Sequence, residues 1–307
     1  MSESVAKGLS VLVPVFNWDC SALLEGLHAQ GRALTTDFEL VVADDCSTDL
    51  TLRDKVAGTA ESLDSCRYFG SDRNMGRAAI RNFLADRSRY DTLLFIDCDA
   101  MICSPTFLKD YMDAWTGTGV VCGGLKHPDI MPATGMELRY RYEKKADRRR
   151  AARYRRLAPY DRFTPFSFLI GRSLFMRIRF DESFAGYGYE DVKFGMDLSG
   201  MKADMLHIDN PLVHIGLEDN RTFLQKTESA ILNLYSRRDS IGDGSHLLNT
   251  FRRLERLHLV PVVLLAGRLM SSSMTANLLG RRPSLRLFSF YKLYRLSLLF
   301  SMATEAV

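Results

Sequence analysis

The sequence predicts an α/β fold: a Rossmann-like sheet flanked by helices, followed by a helical C-terminal extension. Three observations carry that prediction. Apolar runs alternate with helix-patterned stretches, acidic clusters stand where several of those runs end, and strand signals cease after Arg221. A short apolar run without polar alternation suits a strand covered by helices on both faces. Leu93-Leu94-Phe95-Ile96 is such a run, and it leads directly into Asp97-Cys98-Asp99. On an extended segment, residues two apart project to the same side, so Asp97 and Asp99 are expected together at the carboxyl edge of the sheet. Open α/β sheets bind ligands at that edge. Neighbouring carboxylates repel unless something positive neutralises them, and a divalent cation is the usual answer. The same two residues would also serve in a turn or as a helix cap.

The first strand is expected over Leu9–Asn17, ending at Pro14, because proline cannot sit in a central ladder. Ser21 to Ala33 has helical spacing, and Phe38 to Ala43 is a second strand that ends in Asp44-Asp45. Arg67-Tyr68-Phe69 is a short third strand, and Asn74 to Asn82 turns into a helix that carries Arg77 and Arg81. Strand, helix, strand, helix, strand with short connections is βαβ alternation. No GxGxxG follows the first strand, so a dinucleotide fingerprint is missing. Beyond Asp99, Ser104 to Trp115 is a helix and Gly119 to Gly123 a strand, and Phe163 to Phe180 resumes strand-like sequence. Gly186 and Gly188 give a loop that can approach a ligand closely, and Glu190-Asp191 opens the next helix. Ala203–Ile208 and Leu212–Ile215 have the look of short edge strands.

Bulk properties bound the possibilities. A chain of 307 residues with 46% hydrophobic and 25% charged residues has ordinary globular chemistry. A net charge of +4 is too small to imply nucleic acid. Six cysteines without CxxC spacing read as reduced thiols of a cytosolic protein. Met1 to Gly8 contains no signal-peptide core, and no apolar stretch runs uninterrupted for ~18 residues, so neither a leader nor a spanning helix is expected. Residues 139 to 156 are densely basic with Tyr140, Tyr142 and Tyr154 interleaved. That stretch is either a solvated helix face or a segment that meets phosphates or lipid head groups. Leu257–Met270 and Leu285–Met302 mix aliphatic bulk with cations, which suits packing on the domain, a second subunit or a membrane surface.

Five motifs in order, Val13-Pro14-Val15-Phe16-Asn17, Val41 to Asp49, Asn74 to Asn82, Asp97-Cys98-Asp99 and Gly188-Tyr189-Glu190-Asp191, resemble family 2 glycosyltransferases of the GT-A fold across roughly residues 9 to 220. The Gly-x-Gly-x-Glu-Asp form is similar to the galactosyl- and N-acetylgalactosaminyl-transferring domains of β-galactosyltransferases and chondroitin polymerases. The resemblance implies a catalytic domain over 1–220, and the change to helices without strand signals gives a helical extension over 221–307, suited to membrane-surface contact or oligomerisation. It implies Mn2+ or Mg2+ held by Asp99, with Asp97 at the ribose or a metal-bound water, and His214 completing the coordination. His207 is the rival for that last place. It implies that Asp44 and Asp45 read the base of a UDP-sugar against a wall of Pro14, Val15 and Phe16, with Arg77 and Arg81 beside the nucleotide. Asp191 is implied as the base that deprotonates the acceptor, and Glu190 as a ligand for sugar hydroxyls. Tyr187 and Tyr189 replace the Trp and the Gly or His frequent in those relatives, which leaves the sugar open.

The expected activity is metal-dependent, inverting transfer of a sugar from a nucleotide-sugar to a saccharide or lipid-linked acceptor in surface polysaccharide biosynthesis. The expected place is the cytoplasm, peripherally at the inner face of the membrane, with no nucleic-acid partner and with room for a homo-oligomer. Two alternatives stand beside it. A sugar nucleotidyltransferase would want a Gly-rich loop with Arg and Lys after the first strand, where Val13 to Asn17 offers none. A membrane-associated scaffold would leave the paired carboxylates without a purpose.

Overall fold

The apolar run predicted as the first strand lies within the central sheet. The strands are β1 (Ala6–Val15), β2 (Phe38–Asp44), β3 (Cys66–Gly70), β4 (Tyr90–Ile96), β5 (Ala100–Met101), β6 (Val120–Cys122), β7 (Leu125–Lys126), β8 (Ser167–Gly171), β9 (Met205–His207) and β10 (Leu212–His214). Seven of them form one sheet in the order β3-β2-β1-β4-β8-β6-β9, and β5, β10 and β7 form a second in the order β5-β10-β7. This computed structural model describes residues 6–131, 133–184 and 186–305. The expectation of a leaderless N-terminus falls largely on residues 1–5, outside the described residues.

The sheet is mixed. β1 pairs in parallel with β2 and β4, whereas β8 runs antiparallel to both β4 and β6. Leu9, Val11 and Val13 belong to one apolar layer and Leu12 to the other, which is why the run has no polar alternation. The helices α1 (Ser21–Arg32), α2 (Leu50–Ser62), α3 (Arg77–Arg87) and α4 (Phe107–Ala114) connect or flank these strands. Leu24, Leu27 and Val56 of α1 and α2 fill the first layer; Ile80 and Leu84 of α3 fill the second with Phe95, Phe168, Phe175 and Phe194.

Next come α5 (Glu137–Asp147), α6 (Ala152–Arg155), α7 (Arg172–Ile178) and α8 (Glu190–Gly200). The C-terminal helices are α9 (Asn220–Ser236), α10 (Arg238–Ile241), α11 (His246–Arg256), α12 (Val260–Leu279) and α13 (Leu285–Glu305). The chain divides into two compact units. The first holds the residues up to His127 with Asp147–Glu182 and Phe194–Gly216, and the second holds Pro128–Ala146, Ser183–Lys193 and everything from Leu217 on. In the second unit α12 and α13 approach closely: a Cβ on Gly267 would lie 2.1 Å from the Tyr294 ring. Phe223, Met274, Leu278, Phe288 and Tyr291 pack around that contact.

Three local expectations are corrected. β1 continues through Pro14, which pairs with Ala43 of β2; its missing N–H points to the β4 side, where the ladder has already ended at Leu12. Residues 172–178 form a helix, because β8 stops at Gly171 and α7 begins at once. Leu212–His214 is the central strand of the small sheet rather than an edge. α12 is a continuous 20-residue helix, long and apolar enough to cross a membrane by length and composition only, and Arg268 lies within it.

Candidate active site

β4 ends at Ile96, and the chain turns over Cys98 and Asp99 before β5 begins. The Asp97 amide donates to the Phe166 carbonyl (3.0 Å) as the strand ends. Asp97 and Asp99 therefore do not share one extended segment, and each carboxylate has its own partners.

Asp99 meets His214. The β10–β5 ladder sets His214 opposite Ala100, and the Ile215 amide donates to the Asp99 carbonyl (3.0 Å). Asp99 Oδ2 then lies 3.0 Å from His214 Nε2. Gly216 makes room for this: a Cβ there would stand 2.2 Å from Asp99 Oδ2. Burial alone would raise the Asp99 carboxyl, but the hydrogen bond and charge of His214, with the charge of Arg77, hold it below the ordinary carboxylate range.

Behind His214 stands a second imidazole. β7 pairs with β10, and His127, just past β7, brings Nε2 to 3.4 Å from His214 Nδ1. His127 Nδ1 in turn is 2.8 Å from Asp147 Oδ1. Asp99, His214, His127 and Asp147 thus form one continuous hydrogen-bonded series.

Asp97 has guanidinium partners. Arg81 Nη2 donates to Asp97 Oδ1 (2.5 Å) and Arg77 Nη2 reaches Oδ2 at 3.4 Å. Arg81 is 2% exposed, so this is a buried ion pair and not a helix-surface one. His207, the rival metal ligand, is occupied elsewhere in the same unit. Arg155 Nη1 approaches His207 Nδ1 at 2.6 Å, and His207 Nε2 lies 3.0 Å from the Pro159 carbonyl. Burial, followed by the charges of Arg155 and Arg156, lowers the His207 pKa to about 4. It is a neutral structural histidine.

Asp44 and Asp45 organise the loops at the same sheet edge. Asp44 accepts from the Ser47 amide (2.7 Å) and hydroxyl (2.6 Å), with no exposed surface. Asp45 accepts from the amides of Met75 (2.6 Å) and Gly76 (2.9 Å), which fixes the entry to α3. Burial raises the Asp45 carboxyl despite those two donors. Phe16 stands 46% exposed after Pro14 and Val15. Asn17, at φ 48°, accepts from the amides of Thr48 (2.8 Å) and Asp49 (3.1 Å), tying the end of β1 to the start of α2.

In the second unit, Glu190 and Asp191 occupy the first turn of α8, where the helix dipole favours carboxylates. The preceding loop lies against α9. A Cβ on Gly188 (φ 98°) would come within 2.7 Å of Ala230 Cβ, and Asn233 donates to the carbonyls of Tyr187 (3.3 Å) and Gly188 (3.2 Å). The Lys226 ammonium sits 5.4 Å from the Tyr187 ring centroid.

A model of glycosyl transferase family 2 matches residues 10–182. The chain belongs to glycosyl transferase family 2. None of the curated proteins matches it. Among solved structures, the glycosyltransferase is similar to the mannosyltransferase PcManGT from Pyrobaculum calidifontis, in complex with GDP-Man and Mn2+. That match has TM-score 0.57 at 14% identity and covers 96% of this chain and 87% of the other. TarS 1-349 from S. aureus, in complex with UDP-GlcNAc, matches with TM-score 0.50 at 16% identity, covering 96% and 92%. Mannosyl-3-phosphoglycerate synthase from Rubrobacter xylanophilus matches with TM-score 0.50 at 18% identity, covering 75% and 74%. These likenesses are of fold, and the fold is GT-A.

The glycosyltransferase's donor atoms fit a divalent cation in part. Bonds of about 2.1 Å at right angles place adjacent ligands about 3 Å apart. Asp99 Oδ2 and His214 Nε2 have that separation, 3.0 Å. Among the described residues no group of three or more His, Cys, Asp or Glu gathers to complete a site. The sequence alone does not single out His127, Asp147 or Gly216. A lone His after a two-residue strand gives no signal of its own, and only the β7–β10 register brings it to His214.

Proposed function

We propose that this glycosyltransferase is a metal-dependent, inverting enzyme. It moves a hexose or N-acetylhexosamine from a UDP-sugar to a hydroxyl of a saccharide or lipid-linked acceptor in surface polysaccharide biosynthesis. The observation that carries the proposal is the 3.0 Å Asp99–His214 pair, spaced as two adjacent ligands of one cation. Asp99 and His214 would hold Mn2+ or Mg2+, which when bound would supply Lewis-acid neutralisation of the departing diphosphate.

The protein's residues do the rest. Arg77 and Arg81 orient Asp97, whose carboxylate can accept from a ribose hydroxyl or a metal-bound water. Exposed Phe16 offers a face on which a base can stack beside Pro14 and Val15. Each Asp45 oxygen accepts one amide and keeps a second lone pair, which suits a uracil imide N–H. Asp44, wholly buried, shapes the turn beneath it. Asp191 takes the acceptor proton as the hydroxyl attacks the anomeric carbon, and UDP leaves from the opposite face. That in-line displacement turns an α-linked donor into a β-linkage. Glu190 holds sugar hydroxyls. Replacement Asp191→Asn is expected to lower kcat by roughly 10²- to 10⁴-fold while donor binding stays unchanged.

The setting we propose is the cytoplasmic face of the membrane. In the second unit Leu257, Leu259, Val262, Leu265 and Leu269 are exposed, with Arg256 and Arg268 also exposed on the same stretch. Apolar residues interleaved with cations favour an anionic bilayer surface, and a second copy of the chain is the competing occupant. Thermal shift with UDP-, GDP- and dTDP-sugars, with and without Mn2+, tests the central reading. A UDP-sugar shift that requires Mn2+ and vanishes in Asp99→Ala is expected; no shift with any sugar nucleotide would overturn it.

A further inference from the structure

The basic stretch that follows Asp147 forms a cleft, not a diffuse charged surface. Its volume is about 380 Å³, and Arg148, Arg149, Tyr154, Leu157, Ala158 and Arg162 line it. Small-molecule clefts run from roughly 300 to 1,000 Å³, so this one takes a small anionic group together with part of its carrier. Arg148, Arg149 and Arg162 are exposed, and among the described residues no carboxylate pairs with them. Asp147, which precedes Arg148, is engaged by His127 (2.8 Å) and Arg150 (3.2 Å). The wall also carries a non-ionic face: Leu157 is 81% exposed, and Tyr154 is 40% exposed with the Arg153 guanidinium 4.8 Å from its ring centroid.

The segment that carries these arginines is anchored in the core. Arg155 is 4% exposed and directs all its donor nitrogens inward: to the carbonyls of Arg150 (2.7 Å), Cys122 (3.0 Å), Gly123 (3.0 Å) and Ile208 (2.6 Å), and to His207. A Cβ on Gly124 would come within 2.7 Å of that guanidinium, so the fit is close. Ala152 donates its amide to Asp209 (2.6 Å). A buried cation satisfied only by carbonyls and an imidazole is costly to arrange. Here it pins the segment to the ends of β6 and β9 and leaves the flanking arginines exposed.

Both ends of the segment are also tied to the candidate metal site. Asp147 connects through His127 to His214. At the other end, Arg162 lies four residues before Phe166, whose carbonyl accepts from the Asp97 amide. Four residues of chain span at most roughly 14 Å. Both ends of the segment that lines the cleft are thus linked by short stretches to residues of the candidate site.

We infer that the Arg148–Arg149–Arg162 cleft binds a phosphoryl group on the acceptor, with Tyr154 and Leu157 against the organic body that carries it. Guanidinium forks match phosphate oxygens bidentately, which lysine's point charge does not. This inference rests on the proposed transferase reading. The phosphoryl group belongs either to a soluble phosphorylated saccharide or to a lipid head group, and the chemistry of the cleft is the same for both.

The test uses the full-length protein saturated with UDP and Mn2+, so that the donor site is filled; a UDP signal that fails to appear reports against the transferase reading and not against the cleft. Glycerol 3-phosphate is titrated calorimetrically, and vesicles with and without phosphatidylglycerol are tested by co-sedimentation. Wild type is expected to bind at least one probe, with affinity falling tenfold or more in Arg148→Ala/Arg162→Ala. Loss confined to glycerol 3-phosphate identifies a soluble acceptor phosphate, and loss confined to anionic vesicles identifies a lipid one. The charge-preserving Arg148→Lys/Arg162→Lys variant is expected to lose affinity as well. Full affinity in that variant, or no binding of either probe by wild type, would overturn the inference.

Discussion

Asp99 and His214 are 115 positions apart in sequence, yet Asp99 Oδ2 and His214 Nε2 lie 3.0 Å from each other. A two-residue antiparallel ladder and one backbone hydrogen bond bring them together, and Gly216 leaves the space the carboxylate occupies. The small sheet β5-β10-β7 is thus the scaffold of the candidate metal site, although most of the fold's burial lies in the large sheet.

His127 and Asp147 fix the ring of His214 from behind. Partners of this kind set the tautomer and orientation of a metal-bound imidazole, and removing them typically weakens metal binding 10- to 100-fold. His127→Phe and Asp147→Asn are each expected to weaken Mn2+ binding by about that factor, read by electron paramagnetic resonance of free Mn2+. Unchanged Mn2+ affinity in both variants would assign them a packing role alone.

Arg81 neutralises Asp97 from a position 2% exposed. Removing one partner of a buried ion pair leaves the other uncompensated, at roughly 3–5 kcal/mol. Arg77 stays 3.4 Å from Asp97 and offsets part of this cost, so Arg81→Met is expected to lower unfolding free energy by less than that amount in urea titration. The double variant Arg81→Met/Asp97→Asn should recover much of the loss, because the stranded charge is then gone.

His207 makes stability depend on pH with a definite sign. Its folded pKa is lowered to about 4 from the ordinary 6.5, so the unfolded chain takes up its proton first as pH falls. The stabilisation is complete above pH 6.5, declines as pH falls toward 4, and amounts to about 3 kcal/mol. His207→Gln should unfold with a shallower pH dependence across that window. An equal slope in the two proteins would contradict the assignment.

Much of this is legible in the sequence. Uninterrupted apolar runs mark β1, β2 and β4 because helices cover both faces of the sheet, and the acidic residues after them mark its carboxyl edge. His214 stands at a strand end as its sequence context predicts, and the structure adds its contact with Asp99. What periodicity does not show is the turn after Ile96, which separates Asp97 from Asp99, since turn geometry there depends on a hydrogen bond to distant Phe166. Nor does it show that Arg81 is buried: α3 carries its arginine into the sheet layer only because Asp97 waits there. The α7 helix hides for a related reason, since Phe175 is a core residue and its apolar segment reads equally well as strand.

The most direct measurement is an Mn2+ titration of wild type, Asp99→Ala and His214→Ala, each first checked for a native far-ultraviolet spectrum and unchanged cooperative unfolding. With UDP present, wild type is expected to bind one equivalent of Mn2+, and both variants should lose that binding and with it any EDTA-sensitive sugar transfer. Folded Asp99→Ala that still binds Mn2+ and transfers sugar as wild type does would contradict the assignment.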